Sequence, residues 1–387
     1  MNVLAAYFAT WRKVLTTREL FAIALLAPLA YAFFYPQPYI GQSLRHVPVA
    51  VVDQDASAYS RRLVSYVAAQ QNFRLAMVVP AEREARDALG AGRIVAYLVV
   101  PRELERKILV RQEAHVVAVG NGSYFALNSA ALSGFSDAVS RVNEDLAERR
   151  RRSLLVSSAA AAAQSAPVAV DIRPLFNPLQ GYASYVVPAV ALLIVHQTVL
   201  LAIGLFLGRR RESGGQPSPY SFAQFAGETA VFATIGFAGV LFFEGVALPF
   251  FDLPRGGNPA GTIAFAALFA LGVSVFGMLL GSTYECAERG LTVWLFTSVP
   301  LFFLSGYAWP AFASPAPLVA LRWLFPVTPG MLGMTALAQM NASWSEAGVD
   351  VVALGLGILL ETLPAWYCIR LGLRPPAPAG RGSSGKP

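Results

Sequence analysis

The sequence predicts an α-helical integral membrane protein of about six transmembrane helices, with an inserted mixed α/β extracytoplasmic domain. Three observations predict it. The 387 residues are 55% hydrophobic and only 14% charged, and the mean hydropathy is +0.51, a composition of the membrane class. Residues 185–207 carry no formal charge and are long enough, at about 1.5 Å per residue, to cross a hydrocarbon core of roughly 30 Å. Between residues 37 and 182 the composition changes to that of a soluble domain, with charges spaced among short β-branched runs.

The central run fixes the orientation. It ends in Arg209, Arg210 and Arg211, and basic residues beside a span are retained on the cytoplasmic side. The run therefore travels from outside to cytoplasm, which places the domain at 37–182 outside, periplasmic in a bacterial inner membrane, and both termini inside. The formal net charge is +7, but the arginines sit at span ends and across one polar domain with no aromatic-interleaved basic stripe, so nucleic acid is not an expected partner.

Cys286 and Cys368, the two cysteines, fall at cytoplasmic span ends, so the external domain must fold by its own core. His46, His115 and His196 are far apart and lack the close pairing of a metal-ligand set. No metal or cofactor is expected on this chain.

Taken in order, residues 1–18 read as an amphipathic interfacial helix. Val3, Leu4, Tyr7, Phe8, Trp11, Val14 and Leu15 fall on one face, and Arg12, Lys13 and Arg18 supply the cationic edge. A basic flank for the first span is the plainer alternative. Residues 19–36 form the first transmembrane helix, with an apolar run at 20–35 broken by Pro28. Ala30, Tyr31 and Ala32 resemble a signal-peptidase site, but the run continues through Phe33, Phe34 and Tyr35 as an aromatic belt would, which favours an uncleaved anchor.

The domain at 37–182 alternates strand and helix. Strands are expected at 47–52, 73–79, 94–100 and 115–119, and helices at 57–70, 81–89 and 101–109. That alternation favours a small, partly parallel sheet covered by helices. Residues 123–164 read as one long helix or a helical pair with Leu127, Leu132, Phe135, Val139 and Val142 on one side. Arg149 to Arg152 are offset by Glu144, Asp145 and Glu148, which reads as a solvated helix face rather than an anion site. Residues 159–163 are an alanine run of high helix propensity, and 167–173 return as an extended segment.

Residues 183–371 form a transmembrane bundle of about five helices. After the central span comes a polar loop to Ser221, an outward run at 222–251, a turn at 252–259 and an inward run at 260–283. Gly277 and Gly281 in the last run have the small-xxx-small spacing that lets helices pack closely in lipid. Glu285, Glu288 and Arg289 make the next turn before an outward run at 291–307. The stretch at 309–347 contains Pro310, Pro315, Pro317, Pro326 and Pro329, too many for one helix, and reads as broken or re-entrant helices. Residues 351–371 make the last span, and 372–387 a disordered cytoplasmic tail.

Few motifs carry chemistry. The tail stretch GRGSSGKP superficially matches a phosphate-binding loop, but Pro387 stands where a magnesium-binding hydroxyl is needed and no helix follows. No nucleophile elbow or zinc-protease pair is present, and Asp53 and Asp55 read as strand-terminating and helix-capping residues. Ionisable groups within spans are expensive, so Glu228, Glu244 and Glu361 are intramembrane candidates, either for a proton or substrate relay or as hydrogen-bonded bundle residues. His196 and Gln197 in the central span read as interhelical hydrogen-bond partners or, alternatively, a transport site.

The whole arrangement resembles the ABC-2 type export permeases with a large extracytoplasmic domain between the first and second spans. The resemblance rests on VPVAVVDQDAS at 47–57, on Asn177 and Pro178 with Tyr182, Tyr185 and Pro188 entering the second span, and on LSGYAWP at 304–310. It implies a dimer of permease subunits, either two copies or a heterodimer with a related permease, driven by two separate ATPase subunits that bind ATP and Mg. It implies ATPase coupling through Trp11, Arg12 and Lys13 of the first helix and through Arg209, Arg210, Arg211 and Glu212 with the loop to Ser221. Many relatives read Arg-Glu, Gly-Thr and later Gly-Lys there; this chain keeps Arg211 and Glu212 but continues Ser213, Gly214, Gly215 and later Gly227, Glu228. The resemblance further implies export of a drug, lipid or similar hydrophobic compound, and a periplasmic adaptor as an additional partner. A proton-coupled secondary transporter and a membrane-anchored sensor or assembly factor are the alternatives, although the spans show no internal repeat of the kind transporters use.

Overall fold

The computed structural model describes residues 2–39, 45–110, 112, 114–121, 125–153, 176–177, 181–213, 220–253, 255–284 and 286–372. The readings for 159–163, 167–173 and the tail motif lie outside these residues, as do the side chains of Arg149 to Arg152. The chain divides into a helical unit, Met1–Ile40 with Pro174–Pro387, and a second unit, Gly41–Arg173.

The helical unit opens with α1 (Val3–Thr16), whose first turn is capped by the Asn2 side chain accepting from the Ala5 N–H at 2.8 Å. Its buried stripe is Ala6, Thr10 and Val14. The large apolar residues Leu4, Phe8 and Leu15 are exposed instead, while Tyr7 and Trp11 pack on the core from the side. The single apolar face expected from sequence is thus split, because close approach to the neighbouring helix selects small side chains. Thr17 is extended and turns the chain before the first span.

That span comprises α2 (Arg18–Phe21), a π-turn (Ala22–Leu26) and α3 (Ala27–Phe34), all continuous. Pro28 does not break it, contrary to expectation. A proline ring clashes with the carbonyl four residues back in a regular helix; here the preceding turn is widened, with the Ala27 N–H donating to the Ala22 carbonyl.

The second unit follows as β1 (Val47–Asp53), α4 (Ala58–Ala68), β2 (Phe73–Val79), α5 (Glu82–Gly90), β3 (Ala96–Val100), α6 (Leu104–Leu109), β4 (Val117–Gly120) and α7 (Phe125–Ser153). The sheet order is β2-β1-β3-β4. Strand β1 runs parallel to β2 and β3, and β4 runs antiparallel to β3. Alternate residues of β1 serve two cores. Val47, Val49 and Val51 join Leu63, Val67, Phe135 and Val142 on one face, while Ala50 and Val52 join Ala85, Ala88 and Tyr97 on the other.

The segment after β1 is a capping knot. Asp53 Oδ1 accepts the backbone N–H groups of Asp55 and Ala56, and its Oδ2 accepts the Ser60 hydroxyl. Ser57 and Ser60 cap α4 reciprocally. Asp55, expected to help cap the same helix, hydrogen-bonds its N-cap Ser57 and also accepts the Glu105 N–H at 3.0 Å at the start of α6. Burial alone would raise its carboxyl, but hydrogen bonds from Ser57 and the backbone at 103–105 outweigh it and hold the group below the usual carboxylate range.

The helical unit resumes with α8 (Tyr182–Glu212), α9 (Phe222–Phe242), a π-turn (Phe243–Ala247), α10 (Leu248–Phe250), α11 (Pro259–Gly281) and α12 (Ala287–Leu304). The second π-turn also precedes a proline, Pro249, so the run at 222–250 stays continuous. Helices α13 (Ala316–Leu321) and α14 (Val327–Met334), a third π-turn (Thr335–Gln339) and α15 (Gly348–Leu371) complete the unit. The proline-rich stretch does break into short helices.

Among the described residues, five helical stretches are long and apolar enough to cross a membrane: Arg18–Tyr39, Tyr182–Glu212, Phe222–Phe250, Pro259–Gly281 and Gly348–Leu371. The expected run at 291–307 forms α12, which has 18 residues and is not among the five. Over the most apolar 18 residues of each, 83% of the Tyr182–Glu212 span is buried against 17% of the last one, so α8 is the axis of the bundle and α15 lies at its edge.

Glycines set the closest approaches. Cβ atoms at Gly277 and Gly281 would meet Ile203, Leu200 and Leu207 of α8, which is the close packing their spacing predicts. A Cβ at Gly227 would lie 2.5 Å from the Val3 carbonyl and 2.6 Å from Ala6 Cβ. Gly227→Ala should therefore push α1 off α9 and cost about 1–3 kcal/mol. Thermal unfolding of the purified protein reads this as a lowered midpoint, with Gly355→Ala, whose Cβ meets nothing within 4 Å, as the unaffected control.

Candidate functional site: the arginine end of the central helix

Successive residues on a helix point about 100° apart, so four in a row address four directions. At the end of α8 each of the four finds a different element. Arg209 pairs with Glu19 of α2 at 3.0 Å. Arg210 pairs with Glu228 of α9 at 2.5 Å. Arg211 donates to the Ser282 carbonyl, just past the C-terminus of α11, and Glu212 accepts the Ala287 N–H at 3.0 Å, on the first residue of α12. The last two also match the helix dipole, with a cation at a C-terminus and a carboxylate at an N-terminus.

The pairs differ in environment. The side chains of Arg209 and Glu19 are 39% and 58% exposed, whereas those of Arg210 and Glu228 are 7% and 3% exposed. A buried ion pair persists only when further hydrogen bonds replace lost water. Glu228 receives them: Oε2 accepts the Tyr220 hydroxyl at 2.7 Å and Oε1 accepts Gln224 Nε2 at 3.1 Å. Burial, then the adjacent Glu228 charge, push the Tyr220 hydroxyl far above its ordinary range, so it stays protonated and remains a donor. The Arg210 guanidinium lies over the Phe206 ring at 4.6 Å, and the Lys13 ammonium approaches that same ring at 5.7 Å.

Lys13, Arg209, Arg210, Arg211 and Glu212 are therefore brought to one end of the bundle, with Phe206 linking α1 to the group. Trp11 packs partly against the core and Arg12 is exposed on the same helix. Glu228 joins these residues and does not join the other intramembrane candidates. His196 is fully buried and stacks on Phe276 at 6.4 Å, Gln197 is half-buried in mid-helix, Glu244 sits in the second π-turn, and Glu361 lies partway along α15.

Sequence reasoning did not single out Glu19, Phe206, Tyr220, Gln224 or Ser282. Only Gln224 and Glu228 carry a local signal, their i, i+4 spacing. Residues 214–219 of the expected coupling loop lie outside the described residues. Among the described residues no group of three or more His, Cys, Asp or Glu side chains could hold a metal ion.

The two other resemblance motifs are also junctions. Asn177 brackets Gly181, accepting its N–H and donating to its carbonyl, at the start of α8. Gly306, at φ +93°, turns the chain after α12. The Tyr307 carbonyl beyond it accepts the Tyr185 hydroxyl at 2.5 Å, and the Tyr307 hydroxyl meets Thr335.

A bundle of apolar spans with a multi-helix ionic junction at one end defines a helical integral membrane protein whose helix ends are mechanically tied. Residues 18–367 match the family model described as ABC-2 family transporter protein, and the chain belongs to that family as a transporter permease. It is 21% identical over 311 residues to the probable multidrug ABC transporter permease YbhR of Escherichia coli strain K12, covering 79% of this chain and 81% of the relative. The O157:H7 counterpart matches equally, at 21% over the same shares.

Removing one partner of the buried pair leaves an uncompensated charge. Arg210→Met or Glu228→Leu alone should cost about 3–5 kcal/mol, and the double variant should regain most of that loss. Arg209→Ala, at the exposed pair, should cost less than about 1 kcal/mol. A double-mutant cycle on unfolding midpoints in detergent measures all three.

Proposed function

We propose that this chain is the transmembrane subunit of an ABC-2 exporter that moves a hydrophobic or amphipathic compound out of the cytoplasm or inner leaflet. Separate ATPase subunits, which bind ATP and Mg, power it. Two permease subunits, copies or relatives, form the path, and the unit at 41–173 faces the periplasm, where an adaptor is a further partner. The protein resides in a bacterial inner membrane with both termini cytoplasmic.

The observation that carries this reading is the four-way junction at Arg209 to Glu212, taken with the family. An exporter driven from outside its own chain must convert a push at the cytoplasmic face into a changed packing of several helices. A displacement at the end of α8 is transmitted at once to α2, α9, α11 and α12, because each is bonded to a consecutive residue. Helix α1 lies against α9 and offers Arg12 on its exposed side, which suits it to receive an ATPase. Glu228 is bonded to Arg210, Tyr220 and Gln224, and this occupancy favours a structural role over a proton relay.

The test is recovery of an ATPase when the chain is purified from its native membrane in mild detergent. Arg12→Glu, combined with replacement of residues 214–219 by a Gly/Ser stretch of equal length, should cut the recovered ATPase at least about tenfold; an unfolding midpoint measured on the same variant, expected to be unchanged, distinguishes a lost contact from a lost fold. If the unaltered chain brings down no ATPase even after cross-linking, the exporter reading fails and a proton-coupled transporter or membrane-anchored sensor takes its place.

A further inference from the structure

The helix that carries Glu228 at the arginine end carries a second carboxylate, Glu244, toward its other end. Sixteen residues separate them by number, about 24 Å along the helix. Glu244 lies in the π-turn Phe243–Ala247, and its Oε1 is buried with no hydrogen-bond partner among the described residues. It lines a cavity of about 790 Å³ with Leu241, Gly245, Leu253, Thr262, Ile263 and Ala338 among the walls. This volume is within the range of about 300–1,000 Å³ typical of small-molecule sites.

The charges are unevenly placed. Asp252 and Arg255 also line the cavity but are exposed at its rim, and Arg255 acts on Glu244 only through space, from the solvent side. Among the described lining residues Glu244 is the ionisable group set back from that exposed rim, in an otherwise mostly apolar wall, and no hydrogen bond reaches its buried Oε1. A carboxylate in such a place calls for a positive counter-charge. The described residues provide no cluster able to hold a metal ion, and the surrounding Leu, Ile, Pro and Ala surface suits carbon rather than a hydrated ion.

We propose that this cavity binds the cationic nitrogen group of an amphipathic molecule, with Glu244 as its counter-charge and the Leu241, Leu253 and Ile263 surface holding the apolar part. The site deepens the exporter reading by naming a ligand class, but binding here requires no ATPase and can be tested apart from that reading. Two sources present the same chemistry, a soluble organic cation and the amino headgroup of a phospholipid. The Thr262 hydroxyl, which donates to the Asn258 carbonyl and keeps its acceptor capacity, and the rim residues offer contacts for the remaining polar atoms of either.

The experiment uses the purified full chain in detergent, without ATPase, and follows binding of the fluorescent cation rhodamine 6G by anisotropy. The uncharged dye Nile red serves as the apolar comparison. Glu244→Gln should weaken rhodamine 6G at least tenfold and leave Nile red within twofold, while Glu361→Gln changes neither. Gly245→Leu is the second variant. A Cβ there meets nothing within 4 Å, so the substitution fills the cavity without a backbone clash and should weaken both dyes. Displacement of rhodamine 6G by dihexanoyl phosphatidylethanolamine, but not by dihexanoyl phosphatidylglycerol, identifies the lipid headgroup as a source; displacement by neither leaves the soluble cation. Unaltered rhodamine 6G affinity in Glu244→Gln, insensitivity to Gly245→Leu, or no binding to the unaltered chain would each overturn the proposal. Failure of ATPase recovery bears only on the exporter reading and leaves these outcomes intact.

Discussion

The ion pair between Arg210 and Glu228 is the contact around which the helical unit closes. It is costly to assemble, because two charges leave water together, and Tyr220, Gln224 and the Phe206 ring offset that cost by completing the surroundings. Its neighbours in sequence depend on it. Once Arg210 is directed into the protein, Arg209 must point toward Glu19, Arg211 toward the end of α11 and Glu212 toward the start of α12. A run of arginines that membrane insertion alone would explain as a cytoplasmic anchor thereby becomes the joint at which separate spans meet.

Away from that joint, the bundle is shaped by where its backbone can come close and where it must widen. Gly227, Gly277 and Gly281 remove side chains so that helices touch nearly backbone to backbone. The π-turns before Pro28 and Pro249 do the opposite, enlarging one turn so that a ring lacking an N–H fits without breaking the span. The same device leaves Glu244 facing a cavity at the far end of the helix that begins beside Arg210.

Much of this was legible in the sequence, for identifiable reasons. Charge-free runs and their basic ends located the central span because the lipid core tolerates few alternatives. The alternation of β-branched and charged runs located β1, β2 and β3 of the second unit. Pairings across long sequence separations left no such trace: nothing local links Arg210 to Glu228, or Tyr185 to the carbonyl of Tyr307. Propensity also misled where tertiary packing overrode it. Pro28 suggested a break that a widened turn avoids, and α1 turns its small residues inward although its largest apolar ones suggested the opposite.

The fan of four residues at the end of α8 has a consequence for how this protein can change over time. A substitution at any one of them disturbs a single contact, but losing or gaining one residue between Phe206 and Glu212 would rotate every later side chain by about 100°. A loss would turn Arg211, and a gain Arg209, toward the carboxylate that Arg210 occupies, and all four partnerships would be dealt again at once. Point changes can be absorbed there one at a time, whereas a shift in length cannot, so this short segment acts as a ruler whose spacing is held more strictly than its letters.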